Sequence, residues 1–310
     1  MQGAPDADPG PPRKEFSMKK QNAALALAIL AAVFSVGIIL YPLLGTVYNA
    51  HHQSTVHTAY MERVEKTESR EIRKLRERAR EYNRLIRGGA RQVGSFDLEA
   101  LRKAQDGYKE QLNLLGDGVM GYVEIPKIGV QLPVFHGTED ETLLLGAGHL
   151  LGSSLPVGGK GTHTVLTAHS GMAANRMFSD LPALEEGDVF FLNVLGKELG
   201  YRVDQIRITL PEEIDALRIE REKDLCTLVT CTPFGINTHR LLVRGARIGA
   251  EELPQAQQQA QEESVRAEIG HSVWEGEYIK GIVLGLVIVA IIALVFWIVW
   301  MIRNNQKQRN

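Results

Sequence analysis

The sequence predicts a mainly β domain, preceded by a helical segment and held between two apolar runs of membrane-spanning length. Three observations carry this reading. From Gly116 to about Ala250 the chain is a series of short β-rich runs separated by Gly and Pro. Before it, apolar residues recur every three or four positions through a strongly charged stretch. At either end lies an apolar run free of charge.

The two apolar runs come first. Ala23–Leu44 and Gly281–Ile302 contain no Asp, Glu, Lys or Arg. Each reaches the roughly 20 residues a helix needs to cross a bilayer. The first is longer than the roughly 7–15-residue apolar core of a cleaved signal peptide, which favours a retained anchor. Trp297 and Trp300 sit near one end of the second, where interface residues gather. Arg13, Lys14, Lys19 and Lys20 precede the first run, and Arg303, Lys307 and Arg309 follow the second. The positive-inside rule then places both termini in the cytoplasm and the chain from about Tyr48 to Tyr278 outside. The expected plan is a cytoplasmic tail (1–20), a transmembrane helix (21–44), an extracellular helical stalk (48–115), a β domain (116–250), a polar connector (251–278), a second transmembrane helix (279–302) and a short tail (303–310).

In the stalk, Val56, Tyr60 and Val64, then Ile72, Leu75, Ala79, Tyr82 and Ile86, recur at helical spacing among Glu and Arg. That pattern predicts a solvated helix with one narrow apolar stripe. Gly88-Gly89 is expected to break it, with a second helical piece near Leu98–Leu115. The runs MGYVEIPKIGVQLPVFHG, THTVLTAHS, DVFFLNVLG, YRVDQIRITL, LCTLVTC and RLLVRGARI read as strands of a closed or sandwiched antiparallel sheet. The Gln-, Glu- and Ala-rich stretch after Glu251 reads as a polar connector or an exposed weak helix.

Composition narrows the function. The net charge is −2, and no long basic stripe interrupts the middle of the chain, which speaks against nucleic acid as a partner. Two cysteines provide no disulfide framework. They lie on one predicted strand, Leu225–Cys231, where alternation sends Cys226 to one face and Cys231 to the other. Cys226 reads as a small core residue. Cys231 is followed by a turn, Thr232-Pro233-Phe234-Gly235-Ile236-Asn237-Thr238, and a new strand begins near His239. Arg240, nine residues after Cys231 across that turn, is placed beside the thiol. A guanidinium there favours the thiolate and offers donors to an oxyanion. Expelling an amine from an amide also needs an acid, and histidine is the usual one. His169, at the end of an apolar strand and before a glycine, ranks above His136, His149, His163 and His239 on position, without excluding them.

Thr227-Leu228-Val229-Thr230-Cys231 resembles the TLxTC motif of sortases. CTPFGINTHRLLVRGAR is similar to the same stretch of the class C, pilin-polymerising sortase family. GYVEIPKIGVQLPVFHG, GAGHLLGSSLPVGG, TVLTAHSG, MFSDL and EEGDVFFLNVLG resemble successive blocks of that family, in order, over about Leu115–Ile248.

The resemblance implies an eight-stranded sortase β-barrel with His169, Cys231 and Arg240 as the catalytic triad. It implies a transpeptidase that cleaves an LPxTG-like sorting signal between Thr and Gly through a thioester. The acyl group would pass to a pilin lysine; the alternative acceptor is a peptidoglycan amine, as in anchoring of surface proteins to the wall. It implies no metal or organic cofactor, and a place in a Gram-positive cell envelope. Family members carry a lid with an Asp-Pro-aromatic motif before the barrel. This chain has Gly94-Ser95-Phe96-Asp97-Leu98 in its place, making Phe96 the candidate cover and Asp97 a candidate neighbour of Arg240.

Overall fold

The computed structural model describes residues 55–90, 107–170 and 177–267, with scattered helical positions in the two apolar runs. The chain divides into two compact units, Met1–Leu44 with Gly276–Asn310, and Gly45–Glu275. In the first unit the described positions are helical, and apolar side chains such as Phe34, Leu284 and Trp297 are exposed. Among the described residues no helix is long and apolar enough to cross a membrane. The spanning helices expected at 21–44 and 279–302 lie mostly outside the described residues.

The second unit is built on a closed barrel of eight strands. They are β1 (Val119–Ile125), β2 (Val130–His136), β3 (Ala147–His149), β4 (Thr162–Thr167), β5 (Val189–Val194), β6 (Lys197–Thr209), β7 (Asp224–Thr232) and β8 (His239–Arg247). Around the barrel the order is β1-β2-β3-β4-β7-β8-β6-β5. The expected all-antiparallel sheet needs correction, because β2 runs parallel to β3 and β4 parallel to β7. The β5–β6 hairpin lies between β4 and β7 in the chain but joins the barrel elsewhere, so β7 can return alongside β4 in the same direction.

Local sequence accounts for the tightest joins. β5 and β6 are linked through Leu195 and Gly196, at φ 49° and 71°, the doubly positive conformation of a two-residue hairpin turn. Inside the barrel, Leu132, Val134, Leu166, Leu192, Cys226, Leu228 and Val243 belong to one core with the stacked pair Phe190 and Tyr201. Gly245 is obligatory there, because a Cβ would come within 2.6 Å of the Phe190 ring and 2.9 Å of the Tyr201 Cβ.

The stalk is not solvated. Residues 55–66 form helix α1 and Ser69–Ala90 form α2, which continues through Gly88 and Gly89 instead of breaking there. Their apolar stripe lies on the barrel. Ile72, Leu75, Ala79 and Tyr82 join the main core, and Tyr60 packs with Val119 and Tyr122. An amphipathic helix buries its stripe wherever an apolar face is available, and the barrel wall supplies one. Two polar bolts fix the register. The Tyr60 hydroxyl donates to the Met120 carbonyl (3.1 Å) and accepts from the Leu195 N–H (2.9 Å). The Asn83 amide donates to the Leu155 carbonyl and accepts from its N–H, at 3.0 and 2.7 Å.

The helical piece expected at Leu98–Leu115 is described only from Gly107, where the chain makes consecutive turns with Leu112 at φ 57°. Helix α3 (Asp140–Leu145) precedes β3. The connector is not an exposed helix either. Residues 253–267 form α4, whose Ala256 and Ala260 are buried against Val189, Phe191 and Ile248.

Candidate active site

Cys231 lies at the end of β7, the strand between β4 and β8. Strand alternation divides the two thiols as expected. Cys226 points into the barrel core and is fully buried, whereas Cys231 faces outward and is partly exposed. Burial, with Asp224 nearby, pushes the Cys226 thiol well above its ordinary range, so it stays protonated and inert.

Arg240 is the direct ladder partner of Cys231, and His239 that of Thr232. The tight turn at residues 233–238 sets this register. The N–H groups of Ile236 and Asn237 both donate to the Pro233 carbonyl, at 3.1 and 2.9 Å. Asn237 takes the left-handed conformation, φ 60°, which asparagine tolerates better than most residues. The Arg240 guanidinium donates through Nη1 to the carbonyls of Asn237 (3.1 Å) and His239 (3.0 Å), so the turn aims it. The other side chains of this loop, Phe234 and Ile236, are exposed.

His169 reaches the same place from the other side. β4 and β7 run parallel with Thr167 opposite Val229, and the Ala168 N–H continues the ladder to the Val229 carbonyl. Two residues further, His169 is level with Cys231. The Ser170 hydroxyl donates to the Cys231 carbonyl (2.9 Å), and the buried Thr230 hydroxyl donates to the Ala168 carbonyl (2.9 Å). On its far side, the His169 carbonyl accepts from the Phe178 N–H (3.0 Å). His169, Cys231 and Arg240 therefore occupy one end of three neighbouring strands, each partly exposed.

The rival histidines are used otherwise. His149 is fully buried, its Nε2 against the Ser154 carbonyl and its Nδ1 against the Tyr108 hydroxyl. Burial lowers its pKa to about 4. His163 bridges the Arg218 carbonyl and the Thr227 hydroxyl, and burial lowers it too. His136 contacts the carbonyls of Gly118 and Gln111. His239 follows the turn on the strand face opposite Arg240, with Nδ1 against the Thr238 hydroxyl. Arg244, on the same strand face as Arg240, is committed to Asp204 by two bonds of 2.9 and 2.8 Å and to Glu220 by one of 3.1 Å.

Sequence reading passed over Ser170 and Thr230. Both are hydroxyls within two residues of a candidate catalytic side chain, but only the β4–β7 pairing gives them their acceptors. Phe96 and Asp97, the candidate lid residues, lie outside the described residues. Among the described residues no cluster of His, Cys, Asp and Glu could hold a metal ion.

Comparison with known proteins supports the same reading of the fold. A model of the sortase domain matches residues 123–248. The crystal structure of sortase C1 from Streptococcus agalactiae is 40% identical, with a TM-score of 0.58, covering 63% of this chain and 98% of that one. The X-ray structure of Clostridium perfringens sortase C with the C-terminal cell wall sorting motif is 39% identical, with a TM-score of 0.54, covering 63% and 99%. Sortase A of Bacillus anthracis is 29% identical over 133 residues, 43% of this chain and 61% of that protein. The chain spans between 47% and 71% of the length of the curated relatives it matches. With a sortase-domain match along the barrel and class C sortases as structural neighbours, the chain belongs to the sortase family.

Proposed function

We propose that this chain is a membrane-anchored cysteine transpeptidase that cleaves an LPxTG-like sorting signal between Thr and Gly and joins the new end to a pilin lysine. One observation carries the reading: Cys231 is paired with Arg240 on one side and level with His169 on the other, at one end of the barrel. With His169 protonated, the Cys231 thiolate attacks the Thr carbonyl carbon, and the carbonyl π electrons move onto oxygen. Guanidinium N–H donors of Arg240 stabilise that oxyanion. As the intermediate collapses, the C–N bond breaks and His169 gives its proton to the departing glycine amine. A lysine ε-amine then attacks the thioester and gives a proton to the now neutral His169; the C–S bond breaks, the Cys231 sulfur leaves as the thiolate, and an isopeptide bond remains. The exposed Phe234 and Ile236 offer an apolar rim for the Leu and Pro of the signal.

The substrate class is supported by the sorting motif bound to the Clostridium perfringens relative. Pilin polymerisation is tested by incubating the chain with a pilin bearing the signal. A ladder of covalent multimers is expected. A single product formed only with a peptidoglycan amine would instead assign it to wall anchoring.

For localisation, both apolar runs span the membrane and both termini are cytoplasmic, supported by the charge-free runs and their basic flanks. Cysteine labelling in intact cells is expected to fail near Gly10 and Asn305 and succeed near Gln258. Labelling of the C-terminal tail from outside would overturn this topology.

A further inference from the structure

A second site lies at the other end of the barrel. Helix α2 and the loop between Gly158 and Thr162 border an open cavity of about 260 Å³ lined by residues that include Arg80, Arg84, Arg87 and Lys160. Thr162 begins β4 and Asp224, beneath the loop, begins β7, while His169 and Cys231 stand seven residues along the same strands. At about 3.3 Å per residue, the cavity is roughly 23 Å from the Cys231 end.

Four cations and no carboxylate line this cavity. Arg80, Arg84 and Arg87 stand on one face of α2 at helical spacing, an arrangement of like charges that by itself destabilises a helix. The loop is built to admit them. Gly158, Gly159 and Gly161 all have positive φ, and Gly161 has no room for a Cβ because the Arg221 carbonyl oxygen and the Arg87 side chain both lie 2.9 Å from that position. Arg87 Nη1 donates to the Lys160 carbonyl (3.1 Å), and the Asn83–Leu155 bonds anchor the helix beside it.

Two of the four cations have an acid beside them. Glu81 pairs with Arg84 and Glu222 with Lys160, both in exposed pairs of small energy. Asp224 is already held by the Gly159 N–H and the hydroxyls of Thr162 and Tyr201, and burial pushes its pKa up. The positive field reaches further. Lys197 is pushed below its ordinary range by burial and then by Arg247, Arg80 and Arg76. The Gly159 and Gly161 N–H groups are spent on Asp224 and the Lys223 carbonyl, so a ligand would be held by side chains.

We propose that this cavity binds a phosphate group. Its volume falls below the roughly 300 Å³ where drug-sized sites begin, so it takes one head group with the rest of the ligand outside. Arginines on one face of the helix, with Lys160 on the loop beside them, suit a tetrahedral oxyanion carrying up to two charges. The phosphate can be a free ion or belong to a lipid.

The test uses the full chain in detergent, titrated calorimetrically with inorganic phosphate at low ionic strength. Saturable binding is expected, weakened by added NaCl and weakened at least tenfold in Arg80→Gln/Arg84→Gln, a variant whose melting temperature and sorting-peptide cleavage stay near wild type. No saturable binding, binding unchanged in that variant, or equal binding of acetate would overturn the proposal. Repeating the titration in nanodiscs of phosphatidylcholine, with and without phosphatidylglycerol, separates the sources. Phosphate binding suppressed by phosphatidylglycerol in the wild type identifies a lipid headgroup; binding unaffected by that lipid identifies the free ion.

Discussion

Cys231 and Arg240 face one another across the β7–β8 ladder, joined by a turn whose Asn237 carbonyl also accepts from the Arg240 guanidinium. The same turn thus sets the strand register and aims the cation. Arg240→Lys keeps the charge but loses the planar fork of donors. A fall of about 10²–10³ in the rate of thioester formation is expected, the usual cost of one oxyanion donor. Arg244→Lys instead breaks the paired bonds to Asp204 and lowers the melting temperature, while the folded protein retains its activity. Near-normal turnover by Arg240→Lys would move the oxyanion role elsewhere.

The two cysteines give a sharper contrast. Cys231→Ala abolishes both product and covalent adduct with a sorting peptide, whereas Cys226→Ala keeps both. Because Cys226 is wholly buried, its truncation costs stability, on the order of 1 kcal/mol. Mass spectrometry of the trapped acyl-enzyme decides the matter; an adduct on Cys226 would refute the assignment.

His169→Asn is expected to abolish turnover without lowering the melting temperature appreciably, since its side chain is partly exposed. His163→Asn should do the reverse, because it breaks the buried bridge between the Arg218 carbonyl and the Thr227 hydroxyl. Melting curves and peptide cleavage on both variants make the comparison.

Acid should loosen the fold through His149. Its pKa is near 6.5 unfolded and about 4 folded, so between those values the unfolded chain binds the proton and the native chain does not. Stability is therefore unaffected by this group above about pH 6.5 and declines progressively as the pH falls to 4, by about 3 kcal/mol in all. His163, also lowered by burial, acts in the same direction. His149→Gln lowers stability at pH 7 but flattens its decline below pH 6; an unchanged acid slope would show that other groups govern it.

One hydroxyl supplies polar contacts to the clamp of α1 on the barrel, beside its apolar packing. Tyr60→Phe leaves the Leu195 N–H and the Met120 carbonyl without their partner in a buried setting. A loss of about 1–3 kcal/mol by denaturant titration is expected. A neutral effect would mean that water replaces the hydroxyl.

The features legible in the sequence are those fixed by short-range periodicity. Alternation along β7 separated Cys226 from Cys231, and a nine-residue return placed Arg240 beside the thiol, because turn chemistry and a strand period of two act locally. The apolar stripe of α1 and α2 was equally plain from its spacing. What the stripe covers was not, because an apolar face specifies burial without naming a partner, and only the closed barrel provides the wall that Tyr60 and Ala79 occupy. The approach of His169 to Cys231, and the hydroxyl bonds of Ser170 and Thr230, depend on β7 returning parallel to β4 some sixty residues later. That pairing is chosen by the fit of the whole barrel, a long-range condition that no local pattern around His169 encodes.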